Sequence, residues 1–379
     1  MPVLYMTIRG MAIDNTRRKF LKATSIGVAG TMIAGCLGED DDTGNGNGNG
    51  DGNGSGNGNG DDDDGATTWV IGGSSEGSFI NTYTEAFAAE VANHSDQLEL
   101  DPVLSPGFVS NINRVNQGER DLAASYHYLP YLQPRGQGEF EEDGELGELE
   151  NDIVSTLPPM HIPTNTIATY AENDDIETIY DLEGMTVGLD VQGGGNTVQL
   201  LQMMEAAGID ATWEFHTFDE RNEAMLGQRV DAQNFIITNG ESVSGAVAPA
   251  FEELDLKFVD IPEDVRDATQ EEYGHIQFGE VHGEDIGNVD PPHPLGDAHG
   301  ILLPSTTVAR ADADSDLVYE FVSSVLENQE ALGDYHAHLE LFGIGDGRHD
   351  FQGVPDGTPF HDGAIEYFEE AGIDYPEQP

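Results

Sequence analysis

Apolar positions recur at two different spacings along the chain, and the alternation between them predicts the fold. Thr67, Thr68, Trp69, Val70 and Ile71 form a short β-prone run closed by Gly72 and Gly73. Phe79, Tyr83, Phe87 and Val91 then recur every four residues, which predicts a helix over 79–92. A second strand is expected over 98–104, broken by Pro106 and Gly107, then a short helix over 108–117 closed by Gly118. Leu122, Ala123, Ala124, Ser125 and Tyr126 read as a third strand. Strands alternating with helices over short connections predict a parallel sheet covered on its faces.

The pattern then starts again. Residues 127–152 read as an acidic surface loop, and 153–170 supply apolar segments around Pro158, Pro159 and Pro163 that cross into a second lobe. There Ile176, Ile179 and Leu182 share a helical face, and 185–189 is a strand. Val198, Leu201, Met204 and Ala207 mark a helix capped by Gly208. Strands at 213–218, 228–237 and 256–261 alternate with helices at 219–227 and 243–254. Residues 273–299 read as a polar loop and 300–310 as one strand returning to the first lobe. A long helix over 316–332 and a capped amphipathic helix before Gly372 complete the chain, with His361 as a packing or capping residue. The expected class is α/β, two lobes joined by a hinge: 66–168, 169–298, and a return segment 299–379.

The first 65 residues lie outside this pattern. Arg17 and Arg18, followed by Phe20, Leu21 and Lys22, have the spacing of a Tat export signal. The apolar run 23–34 is about a dozen residues, too short to span a ~30 Å hydrocarbon core. It ends in Ile33, Ala34, Gly35 and Cys36, which resembles a lipobox, so Cys36 is the expected lipidation site. Two acyl chains give stable membrane attachment. Residues 1–35 are expected to be removed, with Met11 as an alternative start to Met1. Residues 37–65, rich in Gly, Asn and Asp, read as a flexible tether.

Charge narrows the function. The chain has 14 Lys and Arg against 72 Asp and Glu. Nine basic and 71 acidic side chains follow position 35, with Lys257 the only lysine among them. Self-repulsion at that charge opposes compaction in dilute buffer, and molar salt shortens the Debye length to ~3 Å. The composition resembles that of haloarchaeal proteins. It excludes nucleic acid as a partner, because phosphate binding needs basic stripes. Cys36 is the sole cysteine, so the chain holds no internal disulfide and no cysteine-based metal site.

Ligands of open α/β sheets sit beyond the carboxyl ends of the strands. In the first lobe those ends carry Gly73, Ser74, Ser75, Gly77 and Ser78, then Gly107, Ser110 and Asn111, then Ser125 and Tyr126. Helix N-termini opening there offer unpaired N–H groups to a polar or anionic solute. Ser78 and Ser110 read equally well as N-caps, and Tyr126, Tyr128 and Tyr131 as core-edge rather than cleft residues. In the second lobe Gly193, Gly194, Gly195, Asn196 and Thr197 form either an opposing jaw or a plain strand-to-helix turn. Asn239 and Gly240 follow another strand end. Neither a Walker A loop nor a dinucleotide fingerprint is present, and no cofactor is expected.

The run GGSSEGSF, then SPGFVSNINRVNQGERDLAAS, resembles the first lobe of TAXI-type solute-binding subunits of TRAP transporters. DIETIYDLEGMTVGLD, with the glycine turn and the segment EAAGI, is similar to type II solute-binding proteins generally. Pro359, His361, Gly363, Ala364, Tyr367, Phe368, Glu370 and Gly372 match the TAXI carboxy-terminal signature. The first turn departs, with Ser-Glu-Gly where Pro-Gly-Gly or Ser-Gly-Gly is usual. The resemblance implies a type II periplasmic-binding-protein-like fold and no enzymatic activity. It further implies a small organic acid or glutamate-like amino acid as solute, and a fused TRAP permease as partner. Two rivals stand beside it. One is a lipoprotein of an ABC importer. The other is a secreted metal hydrolase using His275, His282, His293 and His299.

Overall fold

The computed structural model describes residues 66–379 except 75, 77, 143, 191–194 and 246, and leaves the side chains of 218 and 219 undescribed. Cys36, the export signal and the tether lie outside the described residues, as do Ser75, Gly77, Gly193 and Gly194.

The chain begins with β1 (Thr67–Gly72), α1 (Phe79–His94), β2 (Leu98–Val103), α2 (Phe108–Asn116) and β3 (Leu122–Tyr126). This is the expected alternation. A short helix α3 (Tyr128–Leu132) follows, and two single-turn helices precede β4 (Ile153–Ser155). The second part runs β5 (Pro163–Tyr170), β6 (Thr186–Leu189), α4 (Gly195–Ala207), β7 (Thr212–Phe215), α5 (Phe218–Leu226) and β8 (Ala232–Thr238). It continues through β9 (Ser242–Val243), α6 (Ala248–Glu253), β10 (Leu256–Val259), α7 (Glu263–Glu272), β11 (Gln277–His282) and β12 (Asp297–Leu302). Last come β13 (Ser305–Arg310), α8 (Ser315–Leu326), α9 (Gln329–Leu332) and α10 (Asp362–Ala371).

These strands form two sheets. One has five strands in the order β2-β1-β3-β13-β4; the other has eight, built along β11-β12-β5-β8-β6-β7 with β10 on β5 and β9 on β8. Each sheet has its own apolar layers. Trp69, Ile71 and Ala124 pack on α1, α8 and α10, while Ala123 and Val308 pack on α2 and α3 from the opposite face. In the second sheet Ala168, Phe235 and Ile237 meet α5 and α6, and Ile167, Val187 and Ala232 meet α4 and α7. No apolar cluster mixes the two sets, so the fold is two-lobed α/β.

Three expectations change. The run 300–310 is two strands in different sheets, parted at Leu303 and Pro304. Because β5 and β12 both pair inside the second sheet, the expected lobe limits at 168 and 298 fall within strands. The polar loop 273–299 contains β11, which pairs with β12 as an antiparallel hairpin.

The two connections between lobes run side by side. Met160 N donates to Ser305 O at 2.7 Å, Ser305 N to His161 O at 3.1 Å, and Leu303 N to Pro163 O at 2.8 Å. Both backbones are buried there, so pairing them with each other satisfies polar groups that water does not reach.

Candidate functional site

At the end of β1 the chain turns sharply against α1. Gly73 has no room for a Cβ, because Asn81 Oδ1 occupies that position, and the same oxygen accepts from Ser74 N at 2.8 Å. Ser74 O accepts from Ser105 N at 3.0 Å, which ties the first loop to the second. Ser78 is the N-cap of α1, its Oγ accepting from Ile80 N at 3.3 Å. Gly107 stands at the N-cap position of α2, and Ser110 Oγ accepts from Arg114 Nε at 3.4 Å. Open space of about 500 Å³ beside the first loop is lined by Glu76, Ser78, Phe79, Asn81, Leu104 and His336, among others.

Asn111 is placed otherwise than a solute ligand. It is fully buried, and its Nδ2 donates to Gly73 O at 2.9 Å and to Ala124 O at 2.7 Å. Both donor hydrogens therefore join the end of β1 to the middle of β3. Ser125 is also fully buried, in the strand next to β13.

Tyr126 faces the second lobe. It is half-buried, stacks on Tyr128 with centroids 5.6 Å apart, and meets Phe108 edge-on at 4.6 Å. Burial, and next the Asp190 charge, push its hydroxyl up to about 12. Asp190 stands just past β6, in the second lobe. Gly195 opens α4, and a Cβ on it would fall on the Tyr128 hydroxyl. The close approach between the lobes at these jaws is that of Tyr128 to Gly195.

Around Asp190 a chain of buried polar groups crosses the second lobe. Asn234 Nδ2 donates to Asn165 Oδ1 at 3.1 Å, and Asn165 Nδ2 donates to Asn196 O at 2.9 Å. Asn196 Nδ2 donates to Asp190 Oδ2 at 3.0 Å, and the same oxygen lies 3.4 Å from Arg221 Nη1. Arg221 is 1 % exposed and Asp190 6 %. Burial pulls the Arg221 guanidinium below its usual value, and Asp190 opposes that pull. Thr197, in the first turn of α4, is buried with no hydrogen-bond partner for its Oγ1. Asp190, Arg221, Asn165 and Asn234 were not among the expected site residues. Scarcity was the available signal, since Arg221 is one of only nine basic residues after position 65.

Asn239 and Gly240 form the tight turn from β8 to β9, with φ of 55° and 71°. Asn239 Oδ1 accepts from Ile162 N at 2.9 Å and its Nδ2 donates to His338 O at 3.1 Å. This side chain fastens the turn to a crossing segment and to the first lobe. A groove of about 770 Å³ beside it is lined by Gly240, Glu241, Glu280, His282, Asp285 and His338, among others.

Of the four histidines of the hydrolase alternative, His282 and His299 flank Glu280 on the β11–β12 hairpin, at 3.8 and 3.6 Å. His275 lies among tyrosine rings, His282 pairs with Asp297 at 3.3 Å, and His299 with Asp260 at 3.0 Å. His293 Nδ1 sits 2.8 Å from Pro294 O. Among the described residues no group of three or more His, Cys, Asp or Glu is placed to hold a metal ion. No described helix is long and apolar enough to cross a membrane.

Two α/β lobes joined by paired crossings define the class of architecture. The pattern of the NMT1-like family matches residues 77–372, and the chain belongs to that family. Among solved structures, a Xanthomonas citri protein bound to ATP is similar at 11 % identity and a TM-score of 0.47, over 81 % of this chain and 97 % of that one. The periplasmic aliphatic sulphonate binding protein SsuA from Escherichia coli is similar at 13 % identity and a TM-score of 0.42, over 82 % and 79 %. The probable amino-acid ABC transporter extracellular-binding protein ytmK from Bacillus subtilis is similar at 14 % and 0.42, over 74 % and 99 %.

Proposed function

We propose that this chain is an extracytoplasmic solute-binding lipoprotein of the TAXI type. It captures a small organic acid or glutamate-like amino acid between its lobes and delivers it to a TRAP permease. The observation that carries this reading is the contact of Tyr128 with Gly195 at the start of α4, where Asn196 ties the helix to the buried Asp190–Arg221 pair, in two lobes joined by paired crossings. A solute carboxylate entering there meets a guanidinium, helix N–H groups and the Thr197 hydroxyl. A solute amine meets the Asp190 carboxylate. A buried guanidinium recognises a carboxylate through two parallel hydrogen bonds, which gives direction as well as charge. Lobe closure around the solute then presents one shape to the permease. Export through the Arg17–Arg18 signal and lipidation at Cys36 would hold the protein outside the cell membrane.

Thermal unfolding of the purified protein in molar salt, screened against amino acids and carboxylates, tests the reading. A ligand at a hundredfold excess over its Kd adds about 2.7 kcal/mol to stability. One carboxylate-bearing solute is expected to raise Tm, and Arg221→Gln is expected to remove that shift. A screen in which no carboxylate raises Tm, or a shift that Arg221→Gln leaves intact, counts against it.

A further inference from the structure

Helix α3 belongs to the first lobe, yet two of its side chains end on the second. Tyr128 and Tyr131 are three residues apart, so they share a face of the helix. The Tyr128 hydroxyl reaches the position a Cβ on Gly195 would take. The Tyr131 hydroxyl lies 2.7 Å from the position of a Cβ on Gly274, while its Cζ lies 3.8 Å away. Two seats therefore exist on the second lobe because glycine stands in each.

Between the seats is His275, only 7 % exposed. Its ring centroid is 5.9 Å from that of Tyr128 and 6.3 Å from that of Tyr131, tilted by 39° and 38°. Tyr273 closes the same ring edge-on at 6.3 Å. On the first-lobe side both tyrosines are held in place. Tyr128 Oη donates to Glu139 Oε1 at 3.5 Å. The Arg135 guanidinium lies 3.6 Å over the Tyr131 ring, and its Nη1 donates to Tyr131 O at 2.6 Å. A cation over an aromatic face restrains the ring and adds attraction of its own. The posts are thus fixed on one lobe and the seats on the other.

We propose that Tyr128 and Tyr131 form a clasp that holds the two lobes in this arrangement, seated on Gly195 and Gly274. The proposal goes beyond solute recognition, because it concerns lobe geometry and is measured with no solute present. Hinge proteins exchange between lobe positions, and two aromatic rings seated across the lobes bias that exchange.

Spin labels on the full chain carrying Cys36→Ser test it, placed by Glu99→Cys in the first lobe and Glu205→Cys in the second, both exposed positions. Pulsed dipolar spectroscopy on the parent is expected to show one interlobe distance. Gly274→Ala puts a methyl group against the Tyr131 hydroxyl and is expected to add a longer-distance population. Adding Tyr131→Phe removes that hydroxyl and leaves the new methyl in ordinary contact with the ring, so the short distance is expected to return. A Gly274→Ala chain that keeps the parent distance overturns the clasp, and so does a double variant as open as the single one. Should Gly274→Ala lose its circular dichroism signature, Tyr131→Ala decides instead. Deleting the post is expected to lengthen the distance, and an unchanged distance overturns the proposal.

Discussion

Asn111 shows how a polar residue at a strand end can serve the scaffold rather than the ligand. Sequence spacing sets it in the first turn of a helix that opens towards the cleft, where a solute ligand is a reasonable expectation. Its amide instead supplies both hydrogens to buried carbonyls, one just past β1 and one within the neighbouring β3. Removing a donor from a buried carbonyl costs about 1–3 kcal/mol for each group left unmatched. Asn111→Ala is therefore expected to destabilise the protein by roughly 2–4 kcal/mol, read from urea unfolding in molar salt. A loss below 1 kcal/mol would mean that water replaces the amide. Asn239 follows the same logic, since both ends of its amide fasten backbone groups outside its own turn. Neither use was legible beforehand, because a side-chain amide reads identically whether its partner is a solute or a distant carbonyl. The Asp190–Arg221 pair was hidden for a related reason: its members lie 31 residues apart, on a strand end and a helix, and only the fold brings them within 3.4 Å.

Elements with strong periodicity were legible, and those with interrupted periodicity were not. The four-residue spacing of Phe79, Tyr83 and Phe87 marks α1, and all but Phe79 are fully buried. Helix α3 was invisible within an acidic stretch, because Pro130 sits inside its single turn and weakens any helical reading. Strand β11 alternates weakly: Val281 alone among its six residues is buried, so it resembles a polar loop. Pro304 went unread as a boundary because β-prone residues continue on both sides of it, Ile301 to Leu303 before and Thr306 to Val308 after. The turn at 239–240 was correctly sited at a strand end, and Asn and Gly are the residues that most readily take the left-handed backbone it requires. Gly240 has φ 71° and nothing within 4 Å of where a Cβ would stand. Any cost of Gly240→Ala is therefore backbone cost, about 1–2 kcal/mol. Urea unfolding of that variant checks it, and an unchanged midpoint would show that the turn relaxes to another type.

At the scale of the whole molecule, charge and buried histidine pull in opposite directions as pH falls, and their pKa ranges keep them apart. After position 65 the chain carries 62 acidic and nine basic side chains. Protonating carboxylates would relieve their mutual repulsion, but ordinary carboxylates titrate near pH 4. The histidines act sooner. His127 is fully buried, its Nδ1 3.0 Å from Ser155 Oγ, and burial lowers it from 6.5 to about 3. His161 is 2 % exposed beside Ser305, and burial, followed by the neighbouring His338, His349 and His336, holds it well below its usual value. His275, in the clasp, is lowered to about 4 by burial. Each such group is neutral in the fold and freely protonated in the unfolded chain, so the unfolded state binds more protons below pH 6.5. Its stabilising contribution is complete above that pH and is lost as pH falls towards the folded value. His127 alone would remove roughly 1.5 kcal/mol between pH 6.5 and 5, at about 1.4 kcal/mol per pH unit once protonation of the unfolded chain dominates, and His161 and His275 add to the loss in the same direction. In molar salt, where the Debye length is ~3 Å and carboxylate repulsion is screened, Tm is expected to fall by roughly 5–10 °C over that interval. Scanning calorimetry at pH 7, 6 and 5 measures it. A Tm that rises as the pH drops would mean that relief of carboxylate repulsion, not histidine burial, governs stability in this range.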